Sequence, residues 1–128
     1  MPRKNKEETG RKAHADGFRA EKTASFYLML KGYKILEKNF KPKRGSGAGE
    51  IDLIALKKDT LVFFEIKYRR TAEESLDAFS PQVLERRVKG AEYYLMLHPE
   101  HEGKEMRFDA LALTPGKLPI HIQNAWDA

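Results

Sequence analysis

The sequence has 128 residues, 41% hydrophobic and 34% charged, with 24 lysines and arginines against 19 acidic residues and a net charge of +5. That length suits one domain, the composition excludes a largely disordered acidic chain, and no run is long and apolar enough for a membrane-spanning helix. The absence of cysteine removes disulfides, iron–sulfur clusters and zinc–thiolate sites.

Residues 1–12 offer nothing to bury and are predicted to be a mobile basic tail, with residues 13–128 forming the single domain. The tail is too polar to serve as the apolar part of a signal peptide, so a cytoplasmic protein is expected. A helix is predicted from about His14 to Lys31, closed by Gly32 at the left-handed cap position. A short strand follows over Tyr33–Phe40, then the Gly- and Lys-rich loop Lys41–Gly49. Two β-like runs, Glu50–Leu56 and Leu61–Tyr68, flank the polar connection Lys57-Lys58-Asp59-Thr60 and are expected to form a hairpin. Ser80-Pro81 reads as a helix start, and Leu84, Val88, Ala91 and Leu95 lie on one stripe running to about Leu97. Strands over Glu105–Leu113 and Leu118–Ile122 complete the order α-β-β-β-α-β-β, an α/β fold with a mixed β-sheet flanked by helices.

The hairpin brings chemistry together. A symmetric connection pairs Leu56 with Leu61, and the same register sets Asp52 opposite Glu65 and Glu50 opposite Lys67. Side chains alternate along a strand, so these four share one face. Opposed like charges destabilise a sheet unless a cation or a proton neutralises them. A solvated face carrying surface charges is the alternative reading. Glu21 falls within the first helix's Phe18/Ala24/Leu28 stripe, a third acidic group from a separate segment.

Oxygen-rich sites of this kind hold magnesium or manganese and suit phosphodiester hydrolysis. Asp52 and Glu65 are the expected metal ligands, with Glu21 a third and the Ile66 backbone carbonyl a fourth. Lys67 is expected to position water or offset charge developing in the transition state.

Basic residues supply a candidate nucleic-acid surface. Residues 1–50 hold 13 basic and 6 acidic side chains, whereas residues 51–128 hold 11 and 13. Lys41, Lys43 and Arg44 lie in the glycine loop, and Arg69, Arg70, Arg86, Arg87 and Lys89 form a second group expected to rim the site. His98 and His101 are read as exposed loop histidines, Asp109 as the structural partner of an arginine, and Phe26, Tyr27, Tyr93, Tyr94 and Trp126 as core or oligomer packing. The glycine loop lacks a following helix and is not a nucleotide-binding fingerprint.

Asp52, Glu65-Ile66-Lys67 and Glu21 resemble the signature of the PD-(D/E)xK nuclease superfamily, whose core is α-β-β-β-α-β. The runs Gly49-Glu50-Ile51-Asp52-Leu53-Ile54-Ala55 and Leu61-Val62-Phe63-Phe64-Glu65-Ile66-Lys67-Tyr68-Arg69 look like the bacterial YraN family, related to archaeal Holliday-junction resolvases. Gly17-Phe18-Arg19-Ala20-Glu21, Arg107-Phe108-Asp109 and Ile122-Gln123-Asn124-Ala125-Trp126 extend the resemblance over nearly the whole chain from about residue 14. Phe64, Ile66 and Tyr68 depart from the family's usual residues without touching a candidate ligand. The resemblance implies a restriction-endonuclease-like core and a Mg²⁺- or Mn²⁺-dependent endonuclease acting on DNA, with branched or flapped DNA as candidate substrates. RNA and a homodimer stay open, and no membrane partner is expected. The alternatives are a non-catalytic nucleic-acid-binding module and an adaptor in DNA uptake or repair.

Overall fold

A computed structural model describes residues 22–68 and 81–125. Helical residues 22–30 (α1) end at Gly32, whose φ of 91° is the left-handed cap that glycine adopts without steric cost. Three strands follow, β1 (Lys34–Phe40), β2 (Ile51–Lys57) and β3 (Thr60–Tyr68). Helix α2 (Pro81–Leu97), a 3₁₀ turn at Pro99–His101, β4 (Glu105–Leu113) and the short β5 (Ile120–Ile122) complete the described elements. Ser80, the expected cap of α2, lies outside the described residues.

The five strands form one sheet in the order β1-β2-β3-β4-β5. Only β3 and β4 run parallel, because α2 carries the chain back across the sheet between them. The chain order matches the predicted one. The hairpin register is also as expected, with Leu56 opposite Leu61, but the turn is tighter: Lys57 pairs with Thr60, leaving Lys58 and Asp59 as a two-residue turn. Lys58 takes the positive φ, 54°, that such primed turns require. β5 is shorter than expected and starts at Ile120, after Pro119; proline cannot donate to a ladder.

Both sheet faces are covered, which explains why β2 and β3 read as near-continuous apolar runs. On one face Leu53, Ala55, Val62, Phe64, Leu111 and Leu113 pack with Ala24 and Leu28 of α1 and with Tyr33. On the other, Ile54, Leu61 and Phe63 pack with Ala91 and Tyr94 of α2. The α2 stripe is met in part: Ala91 is buried and Leu95 packs against the same cluster, but Gly90 and Tyr94 are the other buried residues, whereas Leu84 and Val88 are half-exposed. Glycine is the reason. A Cβ at Gly90 would overlap the carbonyl oxygen of Gly49, so the helix backbone sits directly on the chain entering β2. Gly49 N–H donates to the Arg86 carbonyl at 3.0 Å, fastening the same contact.

Alanine is a better helix former than glycine, yet Gly90→Ala is expected to destabilise the protein by roughly 1–3 kcal/mol, because the clash is backbone against side chain. Urea denaturation decides it, and a stabilised variant would refute the close packing.

No helix among the described residues is long and apolar enough to cross a membrane.

Candidate functional site

The site forms where β2 and β3 part. Their pairing ends at Leu53 and Phe64, and beyond it the Asp52 side chain enters the gap. Its Oδ2 accepts the Ile66 N–H at 2.7 Å, replacing a ladder bond. The N–H and C=O of one strand residue leave by the same edge, so the Ile66 carbonyl also faces the Asp52 side.

Strand alternation puts Asp52 in phase with Ile54, and Glu65 and Lys67 in phase with Phe63. All three therefore lie on the α2 face. Glu65 is 2% exposed, and a carboxylate so buried needs compensating charge. Two cations supply it. Lys67 Nζ lies 3.1 Å from Oε1, and Arg87 Nε donates to Oε2 at 2.6 Å. Arg87 therefore departs from the expectation of a phosphate-contacting rim: α2 turns it onto the sheet, while Arg86 and Lys89 remain exposed. The expected pairing of Glu50 with Lys67 is also corrected. Glu50 is exposed and precedes β2, and Lys67 pairs with Glu65 instead.

Burial, and then the nearby Glu65 charge, push the Asp52 carboxyl up from 3.8 to about 6, against the lowering effect of the Ile66 N–H, Arg87 and Lys67. A carboxyl raised on folding costs nothing below pH 4, where it is protonated folded or unfolded. The cost grows as pH rises and is complete above pH 6, at roughly 3 kcal/mol. Asp52→Asn keeps an oxygen for the Ile66 N–H and removes the charge. Its melting temperature in EDTA is expected to gain on wild type between pH 4 and 6 and to hold that lead at higher pH. A difference independent of pH would sink this account.

Lys41, Lys43 and Arg44 are exposed on the loop between β1 and β2, where Gly45 and Gly47 take positive φ. That loop ends at Gly49, fastened to Arg86 three residues before Asp52. Glu21, Arg69 and Arg70 lie outside the described residues, as does Trp126. The described part of α1 packs on the opposite sheet face from Glu65. Among the described residues no three histidine or acidic side chains converge as a metal-binding group. Of the expected ligands, Asp52, Glu65 and the Ile66 backbone are brought together.

A second polar cluster was legible only in part. Asp109 is fully buried on the α1 face. It accepts from Arg107 Nε at 2.8 Å and from the Asn124 N–H at 3.0 Å, and His121 Nε2 lies 2.7 Å from its Oδ2. Arg107 Nη2 in turn donates to the Tyr33 hydroxyl at 2.7 Å. Asp109 has the arginine partner expected of it, and that arginine is Arg107. The roles of Tyr33 and His121 carry no spacing signal, since they come from distant segments. His98 stacks on Tyr94 with ring centroids 4.2 Å apart, so it packs on α2 rather than standing free.

The geometry belongs to a mixed α/β domain with an acidic pair at a strand fork. The chain belongs to the uncharacterised protein family UPF0102, named YraN above, whose model matches residues 20–113. It is 40% identical over 112 residues to a UPF0102 protein of Nitrobacter winogradskyi, covering 88% of this chain and 92% of that one. A UPF0102 protein of Rhodopseudomonas palustris is 41% identical over 116 residues, covering 91% and 86% of the two chains. Another, from Paramagnetospirillum magneticum, is 41% identical over 107 residues, covering 84% and 83%.

Proposed function

We propose that the protein is a Mg²⁺- or Mn²⁺-dependent nuclease with a restriction-endonuclease-like core, hydrolysing phosphodiester bonds in cytoplasmic DNA. The observation that carries this reading is the convergence of Asp52 with Glu65, Ile66 and Lys67 where β2 and β3 separate. The donors suit a hard cation: two carboxylates and a backbone carbonyl, all oxygen. The upward push on Asp52, from burial first and then from the Glu65 charge, is one that such a cation relieves. Asp52, Glu65 and the Ile66 carbonyl would hold it. When bound, it supplies Lewis acidity to the phosphodiester and to the attacking water.

The chain's own groups do the rest. Lys67, half-exposed beside Glu65, offsets charge developing on the phosphoryl oxygens and orients the water. Arg86 and Lys89, with Lys41, Lys43 and Arg44, hold the flanking phosphates, and such contacts position the polymer without reading its sequence.

Labelled duplex, flap and four-way DNA, incubated with Mg²⁺ or Mn²⁺, test the reading against Asp52→Asn and Lys67→Ala. Cleavage surviving in both variants would overturn the site. One observation favours a second reading, a non-catalytic nucleic-acid-binding module: both Glu65 oxygens already meet cations. Metal-independent binding with no cleavage of any DNA or RNA substrate is its signature.

A further inference from the structure

Glu65 and Asp52 contribute two negative charges to the strand fork, and Lys67 and Arg87 contribute two positive ones. The two cations differ in kind. Lys67 comes from the same strand, two residues along, and reaches Oε1 through a flexible stem at 3.1 Å. Arg87 comes from α2 and donates through Nε at 2.6 Å, a short charge-assisted bond. Its helix is fixed by the backbone contact between Gly90 and Gly49 and by the Gly49 N–H on the Arg86 carbonyl. Arg87 is thus delivered to Glu65 by fold architecture, and its side chain is only 19% exposed.

We propose that Arg87 is a positioning residue, a built-in counter-charge that holds Glu65 in place of a divalent cation until one binds. The inference rests on the metal-site reading above. A fork whose charges cancel attracts a divalent ion weakly, because the field that would draw it in is already neutralised. A cation entering beside Asp52 must compete with the guanidinium for the Glu65 carboxylate. Arg87 therefore keeps the buried pair folded in the empty state and sets a low affinity for free cation. A nucleic-acid phosphate adds negative charge to the fork and tips the balance, so cation and phosphodiester bind more tightly together than either does alone.

The test is Mn²⁺ titration of the full chain at pH 8, followed by electron paramagnetic resonance and calorimetry without nucleic acid. Arg87→Gln, which can still donate to Glu65 but carries no charge, is expected to bind Mn²⁺ roughly tenfold more tightly than wild type or better. Arg87→Lys is expected to stay close to wild type, and Asp52→Asn combined with Arg87→Gln to lose the gain. Unchanged or weaker binding by Arg87→Gln, beside Asp52-dependent binding in wild type, overturns the role of Arg87 and leaves the metal site standing. If neither protein shows Asp52-dependent binding, with or without DNA, the metal site itself falls. A measurement on wild type guards against an unfolded variant. Saturating Mg²⁺ is expected to shift the Arg87 Nε–H resonance and speed its exchange with water, and a resonance that stays put counts against the competition.

Discussion

Asp109→Ala is expected to lower the stability of the protein by roughly 3–5 kcal/mol, the usual cost of removing one partner from a buried ionic network. The carboxylate is fully buried and gathers Arg107, His121 and the Asn124 N–H. Without it, the Arg107 guanidinium loses its charge partner inside the sheet face and keeps only the Tyr33 hydroxyl. The loss also removes the His121 and Asn124 N–H contacts, leaving β5 and the turn after it to their backbone bonds with β4. At about 4–8 °C per kcal/mol, a melting temperature more than 10 °C below wild type is the expected reading. A shift of a degree or two would show that the network is decoration. Burial opposes ionisation of Asp109, but His121, Arg107 and the Asn124 N–H outweigh it and hold the carboxyl below its ordinary 3.8. The wild-type contribution is therefore present above pH 4 and lost in more acidic solution as the folded carboxyl protonates, and Asp109→Ala abolishes that acid sensitivity.

The second large effect is on chemistry. Asp52→Asn is expected to slow divalent-dependent cleavage about a thousandfold, equivalent to roughly 4 kcal/mol of transition-state stabilisation. Lys67→Ala should slow it by roughly a hundredfold at saturating divalent ion. The value of Asp52→Asn lies in its two readouts. The same substitution raises stability above pH 6 by removing a buried, crowded carboxylate, so activity and stability should move in opposite directions. That divergence marks a functional residue, because a merely structural one loses both together. Single-turnover rates on the best-cleaved DNA, set beside thermal melts at pH 7.5, measure the two. A variant that is both stabilised and fully active would remove Asp52 from the machinery.

Much of this fold was legible in the chain. Apolar runs bounded by turn residues locate β2, β3 and β4, and Pro81 opens α2. The register of the β2–β3 hairpin followed from its short polar connection, and with it the neighbourhood of Asp52, Glu65 and Lys67. What sequence periodicity missed was backbone contact. Gly90 reads as a weak spot in a helix, yet it is where α2 touches Gly49. That contact shifts the buried stripe towards Gly90 and Tyr94 and turns Arg87 onto Glu65. No spacing rule couples residues 65 and 87, because their meeting depends on how one helix crosses one sheet. The same holds for Tyr33 and His121, which reach the Asp109 network from elements far apart in the chain.

The lone parallel pairing in the sheet has a consequence for the order of assembly. The β2–β3 hairpin closes over a two-residue turn and can form within microseconds of chain collapse. Its pairing with β4 joins Thr60 to Glu105, a long loop that must close before any of those contacts is gained. Until then Leu61, Val62, Phe63 and Phe64 have an open edge beside them, the kind of strand that recruits a neighbouring chain. Asp52 and Glu65 thus meet early, and the helix bearing Arg87 arrives with the slow closure. Conditions that delay the docking of α2 on the sheet, such as a Gly90 substitution, should show first as lower soluble yield from refolding at high protein concentration.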